Sequence, residues 1–219
     1  MRRKPIRSRA VTIALVFAAV AAATCLTVAT ARPAEAGAGA RATLDRALKG
    51  LKDARATFKQ VRVDELGTTE NRGSLEYRTP RQVRLEYTGR VPMTILVQAD
   101  TAWVYQPAQK QVMRTRASRA GVPPLPFLDE SVATLERSCI VRETGPRDLV
   151  LEPREAQSST WRSVALTLDG STGLPSRVVV RPVEGGTVTL TFSRFSRNTG
   201  LSASRFAPRF PADVRLVEL

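Results

Sequence analysis

Histidine is missing from this sequence altogether, and its absence removes the commonest catalytic chemistry of a domain this size. An imidazole-activated serine or cysteine needs one, and so does a histidine-ligated metal. Cysteine is scarce: Cys25 lies in an apolar N-terminal run and Cys139 stands alone in the rest, so no internal disulfide is expected there. Between Ser138 and Ile140, Cys139 reads as a small buried hydrophobe before it reads as a reactive thiol. No glycine-rich phosphate loop with its lysine is present. The adjacent acids Asp129 and Glu130 fit the start of a short helix, where the dipole favours them, better than an acid–base pair. Together these gaps argue against an enzyme and against a metal or other cofactor, and leave binding as the expected function.

Acidic residues are the minority, since 34 Lys and Arg face 20 Asp and Glu. Such an excess raises nucleic acid or an anionic surface as a partner. The cations, however, are nearly all arginine and are interleaved with acids along the chain, which is the pattern of a compositional bias and not of a polyanion-binding patch. No nucleic-acid partner is expected.

What is present begins with MRRKPIRSR, then the uninterrupted run VTIALVFAAVAAATCLTVATA, then Ala34-Glu35-Ala36 with the small-x-small form of a cleavage site. That is the layout of a secretory signal peptide over residues 1–36. The alternative is a retained membrane anchor; the run is long enough to span a bilayer, but its Ala and Thr content and its Ala-x-Ala end favour removal. Lipid modification of Cys25 does not fit, because Ala22 and Thr24 stand where Leu and Gly or Ala are preferred. Residues 37–219 then form one domain, long enough for a substantial core.

The densest pattern runs from Gly73 to Pro107. Leu75 and Tyr77, then Val83, Leu85 and Tyr87, then Ile95 and Val97, then Trp103 and Tyr105 put an apolar residue at every second position of four short strands. Glu76, Arg78, Arg84, Glu86 and Gln98 fill alternate positions. Alternation across the pleat gives one antiparallel sheet with a greasy face and a wet face. Upstream, Leu44, Ala47, Leu48, Leu51, Ala54 and Phe58 recur at helical spacing and predict an amphipathic helix from Ala40 toward Phe58, weakened at Gly50 and giving way to a strand near Arg55–Val63. The polar stretch Asp64–Arg72 reads as the first hairpin loop.

Downstream, a strand over Gln111–Thr115 precedes Pro123, Pro124 and Pro126, which forbid regular structure until Phe127. Phe127, Leu128, Val132 and Leu135 then form one face of a two-turn helix, a hinged cover for the sheet; the alternative is a plain connecting loop. Strand texture returns over Cys139–Glu143, Asp148–Glu152, Trp161–Leu168, Ser176–Arg181, Thr187–Phe195 and Val214–Val217. The sum predicts an α+β fold, a single large curved antiparallel sheet forming a half-barrel of about 10–11 strands with helices covering its concave face.

The order Gly73, Leu75, Pro80, Arg84, Tyr87, Ile95-Leu96-Val97, Trp103, Tyr105 and Pro107 resembles the periplasmic outer-membrane lipoprotein carrier family, LolA. The resemblance implies a monomeric periplasmic chaperone that binds the acyl chains of lipoproteins in an apolar cavity and carries them from the inner to the outer membrane. It implies three partners: the lipoproteins, an inner-membrane ATP-driven lipoprotein release complex and an outer-membrane lipoprotein acceptor. An anchor of about 45 methylenes, each costing about 0.8 kcal/mol in water, needs a nearly continuous apolar lining. Candidate lining residues are Leu75, Tyr77, Val83, Leu85, Trp103, Val188, Leu190 and Phe192 on the sheet. Phe127, Leu128 and Val132 would line it from the cover, and Leu44, Leu48 and Leu51 from the first helix; each reads equally well as ordinary core. In the resembled family an arginine just before the proline that follows the second strand holds the cover shut by hydrogen bonding. Here Thr79 occupies that place, which leaves Arg78, Thr79, Arg81 and Arg84 as latch candidates, although parity puts Arg78 and Arg84 on the wet face. The alternatives on the same half-barrel are a periplasmic lipid or glycolipid carrier and a lipid-responsive sensor domain.

Overall fold

The computed structural model describes residues 39–117, 120 and 131–219. The leader expected over 1–36, the proline cluster, and the candidates Phe127, Leu128, Asp129 and Glu130 lie outside the described residues.

Helix α1 (Ala40–Leu48) buries Ala40, Leu44 and Ala47 along one stripe. It stops sooner than the apolar spacing predicts. Gly50 takes φ 75°, a left-handed conformation without steric penalty for glycine, and the Leu51 N–H reaches back to the Leu48 carbonyl at 3.0 Å. Gly50 is therefore a terminator and not a weak point inside a longer helix. Leu51 and Ala54, expected on the helix, remain buried beyond its end.

The strands are β1 (Asp53–Asp64), β2 (Gly67–Arg78), β3 (Gln82–Thr88), β4 (Met93–Gln98), β5 (Thr101–Gln106), β6 (Gln111–Arg116), β7 (Cys139–Gly145), β8 (Asp148–Pro153), β9 (Trp161–Leu168), β10 (Pro175–Pro182), β11 (Thr187–Arg197) and β12 (Arg215–Glu218). They make one 12-stranded sheet in the order β12-β6-β5-β4-β3-β2-β1-β11-β10-β9-β8-β7. Only β12 with β6 is parallel. The sheet does not close, so the α+β half-barrel expected from the alternation is the architecture found. β1 and β2 pair along their whole length, from Asp53 opposite Arg78 to Asp64 opposite Gly67. The expected loop Asp64–Arg72 is therefore mostly strand. Its residues are polar on both sides, held by ion pairs of Glu70 with Lys59 at 2.8 Å and with Arg72 at 3.1 Å, and a ladder wet on both faces shows no apolar alternation to read.

Helix α2 (Val132–Ser138) is capped by Ser131, whose Oγ accepts from the Thr134 N–H at 3.2 Å. Its first turn carries no acid, so the acidic start expected from Asp129 and Glu130 is not that of α2. Both helices lie against β7, at one end of the sheet. They are tied to each other: the Val132 N–H donates to Asp45 Oδ1 at 3.2 Å, and the Arg41 guanidinium bonds Glu136 and the Val141 carbonyl. Among the described residues no helix is long and apolar enough to cross a membrane.

The chain after β11 crosses the opposite, outer face of β2–β4. Its anchor is Asp53, only 4% exposed at the start of β1. The Asp53 carboxylate accepts from the Thr199 N–H at 2.7 Å, the Thr199 hydroxyl at 2.9 Å, the Gly200 N–H at 2.9 Å and the Leu201 N–H at 3.3 Å. Burial raises its pKa, but the donors on Thr199, Gly200 and Leu201 together outweigh burial and hold it below the usual carboxylate value. Farther on, Arg205 grips the Glu76 carboxylate with two bonds of 2.8 and 2.7 Å, and Gln98 Nε2 donates to the Phe206 carbonyl at 2.8 Å. Leu96, Val112, Leu201 and Phe206 are buried outside the main core cluster. The face expected to be wet is thus largely covered.

Candidate functional site

The inner face of the sheet is one apolar surface, assembled by register. Met113, Val104, Ile95, Leu85, Leu75 and Ala56 are successive partners across β6, β5, β4, β3, β2 and β1. On the other half, Leu149, Leu166, Val178 and Leu190 continue across β8, β9, β10 and β11. Each is held there by the period of two, which sends alternate side chains to opposite faces. Helices α1 and α2 add Ala40, Leu44, Ala47, Val132 and Leu135 to the same cluster.

Burial is uneven across this face. Toward the helices it is complete: Leu149, Leu151, Val164, Val178 and Leu190 are 0% exposed. On β3, β4 and β6 the central Leu85 and Ile95 are buried too, but Val83, Met93, Val97 and Met113 are half-buried against the cluster, as are Leu48, Trp161 and Phe195 elsewhere. The surface therefore has a sealed centre with half-buried apolar residues at its margins, among them Val83, Met93, Val97 and Met113. Two of those four are methionines, whose unbranched side chains adapt to irregular apolar partners.

A polar pair is set into the face. The Tyr87 hydroxyl donates to Gln60 Oε1 at 2.9 Å, and burial pushes the Tyr87 pKa up to about 12, so the phenol stays neutral. Phe58 lies across Gly73, which is its register partner on one side and that of Tyr87 on the other. The Phe58 and Tyr87 rings meet edge-on at 5.1 Å above it, and a Cβ on Gly73 would stand 2.7 Å from the Phe58 ring.

Of the candidate lining residues, Leu44, Leu48, Leu51, Leu75, Tyr77, Val83, Leu85, Val132, Val188, Leu190 and Phe192 are brought together in or against this cluster. Trp103 is not. Its partner Leu96 faces outward, because Val104 and Ile95 take the inner positions. Trp103 instead lies under the Arg114 guanidinium, 6.0 Å from the ring centre, and its neighbour in parity, Tyr105, packs on Phe210 at 5.5 Å. The alternation of aromatic residues in β5 is real but belongs to the outer face.

Among the described residues the latch candidates have these partners. Arg78 donates to Gln82 Oε1 at 3.1 Å. Arg84 bonds Glu86 and, at 3.0 Å, the Arg205 carbonyl of the outer segment. Arg81 pairs with Asp100 at 3.3 Å, and the Thr79 N–H donates to the Lys52 carbonyl at 3.0 Å. What sequence reasoning passed over is the deep half of the face, Leu149, Leu151, Val164, Leu166, Val178 and Val180, although the same two-residue alternation marks it in β8, β9 and β10. Among the described residues no group of three His, Cys, Asp or Glu side chains is placed to hold a metal ion.

Residues 49–209 match the family described as "Outer membrane lipoprotein carrier protein LolA". The chain is 30% identical over 186 residues to the outer-membrane lipoprotein carrier protein of Xanthomonas campestris pv. campestris (strain B100), spanning 81% of this chain and 88% of that one. It is 28% identical over 203 residues to the protein of the same name from Chromobacterium violaceum, covering 89% and 95% of the two chains. Among solved structures, an uncharacterized conserved protein from Thermus thermophilus superposes with a TM-score of 0.51 at 16% identity over 81% of this chain and 97% of its own, a likeness of fold.

Proposed function

The chain belongs to the LolA family of outer membrane lipoprotein carrier proteins, and from that premise we propose that it is a periplasmic chaperone which holds lipoprotein acyl chains against the inner face of its sheet. It is exported by the leader at 1–36 and works as a monomer. Lipoproteins reach it from an ATP-driven release complex in the inner membrane and leave it for an acceptor at the outer membrane. It binds cargo and catalyses nothing itself, so any nucleotide is hydrolysed by the partner.

The observation that supports this best is the apolar face with its half-buried margins. An acyl chain needs a continuous greasy wall, which the register rows supply, and a way in, which the half-buried margin of Val83, Met93, Val97 and Met113 supplies. A fully sealed core would offer no entry. A fully open one would aggregate.

The test is Val83→Glu. A carboxylate at this margin is tolerated by the fold, since the position is half-buried, but it meets cargo with an unpaired charge. The expected outcome is an unfolding midpoint close to that of the wild type together with loss of most lipoprotein uptake, measured as release of a lipoprotein from inner-membrane vesicles into the soluble fraction. Undiminished uptake by the folded variant would contradict the assignment.

A further inference from the structure

Arg197, the last residue of β11, lies beneath the C-terminal end of α1. Its register partner is Ala54, which is buried in the inner cluster, and Phe195 two residues earlier packs against that cluster too. The side chain is therefore on the inner face and half-buried. Its Nη2 donates to the Ala47 carbonyl, one of the last-turn carbonyls that a helix leaves without an internal partner. Its Nε is buried, and no acceptor among the described residues meets it. The next residue fixes the link after the helix, as Asn198 Nδ2 donates to the Gly50 carbonyl at 3.0 Å and Asn198 Oδ1 accepts from the Lys52 N–H at 2.8 Å.

A cationic N–H left without an acceptor inside an apolar surface is unfavourable, and the fold gains nothing in packing from it that a methionine would not give. The unmet bond has the right place and polarity for an oxygen carried in with a ligand. We infer that Arg197 is a polar contact for cargo on the inner face, and that it receives the carbonyl oxygen of an ester-linked acyl chain. The inference rests on the reading of that face as the acyl site and adds to it a chemical requirement: the cargo is recognised by its acyl linkage as well as by its hydrocarbon. In the unloaded protein the Ala47 carbonyl takes part of the guanidinium's bonding capacity and ties α1 down. A linkage oxygen accepting from Nε leaves Nη2 on the Ala47 carbonyl, so cargo and the end of α1 are held by one side chain.

The experiment uses Ala36–Leu219, the compact unit that contains the whole described core. Two probes are titrated by calorimetry: a synthetic tripalmitoylated lipopeptide, and its counterpart in which ether linkages replace the esters. The wild type is expected to bind the ester form about tenfold more tightly, the low end for a hydrogen bond to a charged group. Arg197→Met is expected to bind both forms with the affinity the wild type shows for the ether form. Equal affinity of the wild type for the two probes overturns the inference without needing any variant. Survival of the ester preference in Arg197→Met also overturns it. Failure of the wild type to bind either probe overturns the acyl-site reading itself, and this inference with it.

Discussion

Asp53 is the side chain on which the outer segment depends. Four donors converge on a carboxylate that is almost fully buried, and losing its charge leaves several of them facing a poorer acceptor. Replacement by asparagine is expected to cost about 1.5–3 kcal/mol at neutral pH, the range for hydrogen bonds to a charged group. The folded-state pKa lies below the unfolded one, which for Asp is about 3.9. Its stabilisation is therefore complete above about pH 4 and disappears as the pH falls through the folded value. Denaturant unfolding between about pH 2 and pH 7 should show a shallower acid loss in Asp53→Asn than in the wild type, and parallel profiles would contradict this assignment. Nothing in the sequence around Asp53 announces the role, because its partners lie some 146 positions away at Thr199 and beyond. Trp103 escapes a sequence reading for a related reason. Parity gives two faces but does not say which is inner, and the outer cluster with Leu96, Phe206 and Phe210 makes both faces of β5 apolar.

At the scale of the element, α1 is short and is held from several sides. A nine-residue helix is marginal alone, so its position is set by what it packs on. One support is the turn between β9 and β10, where Gly173 takes φ 68° and lies so close that a Cβ would stand 3.1 Å from both the Ala47 side chain and the Thr43 carbonyl. Gly173→Ala is expected to lower stability by about 1–2 kcal/mol through the left-handed backbone and the crowding of α1. Hydrogen exchange should localise the effect, with the α1 amides losing protection before those of β9 and β10; uniform loss across the chain would show that the contact does not set the helix. The apolar stripe of α1 is legible in its spacing, whereas its end is not. Leu51 and Ala54 continue the three-and-four rhythm by coincidence of burial after the chain has turned at Gly50, and only the backbone distinguishes the two cases.

For the molecule as a whole, the decisive property is that one long sheet carries a sealed centre and half-buried apolar margins on the same face. Alternation and turn residues make most of the strands readable, and with them the open antiparallel sheet. The pattern of burial is not readable, because it depends on where the two helices sit, and they gather at β7 and β8. An acyl chain held on this face must touch Met93 and must not touch Thr94, its neighbour on β4, which pairs with Glu86 and Tyr105 on the other side of the sheet. The most direct measurement is photo-crosslinking with a benzoylphenylalanine introduced in place of either residue, in the presence of a triacylated lipoprotein. The inner-face assignment predicts a covalent adduct on an acyl chain from position 93 and none from position 94. Equal labelling from both positions, or labelling from 94 alone, would contradict it.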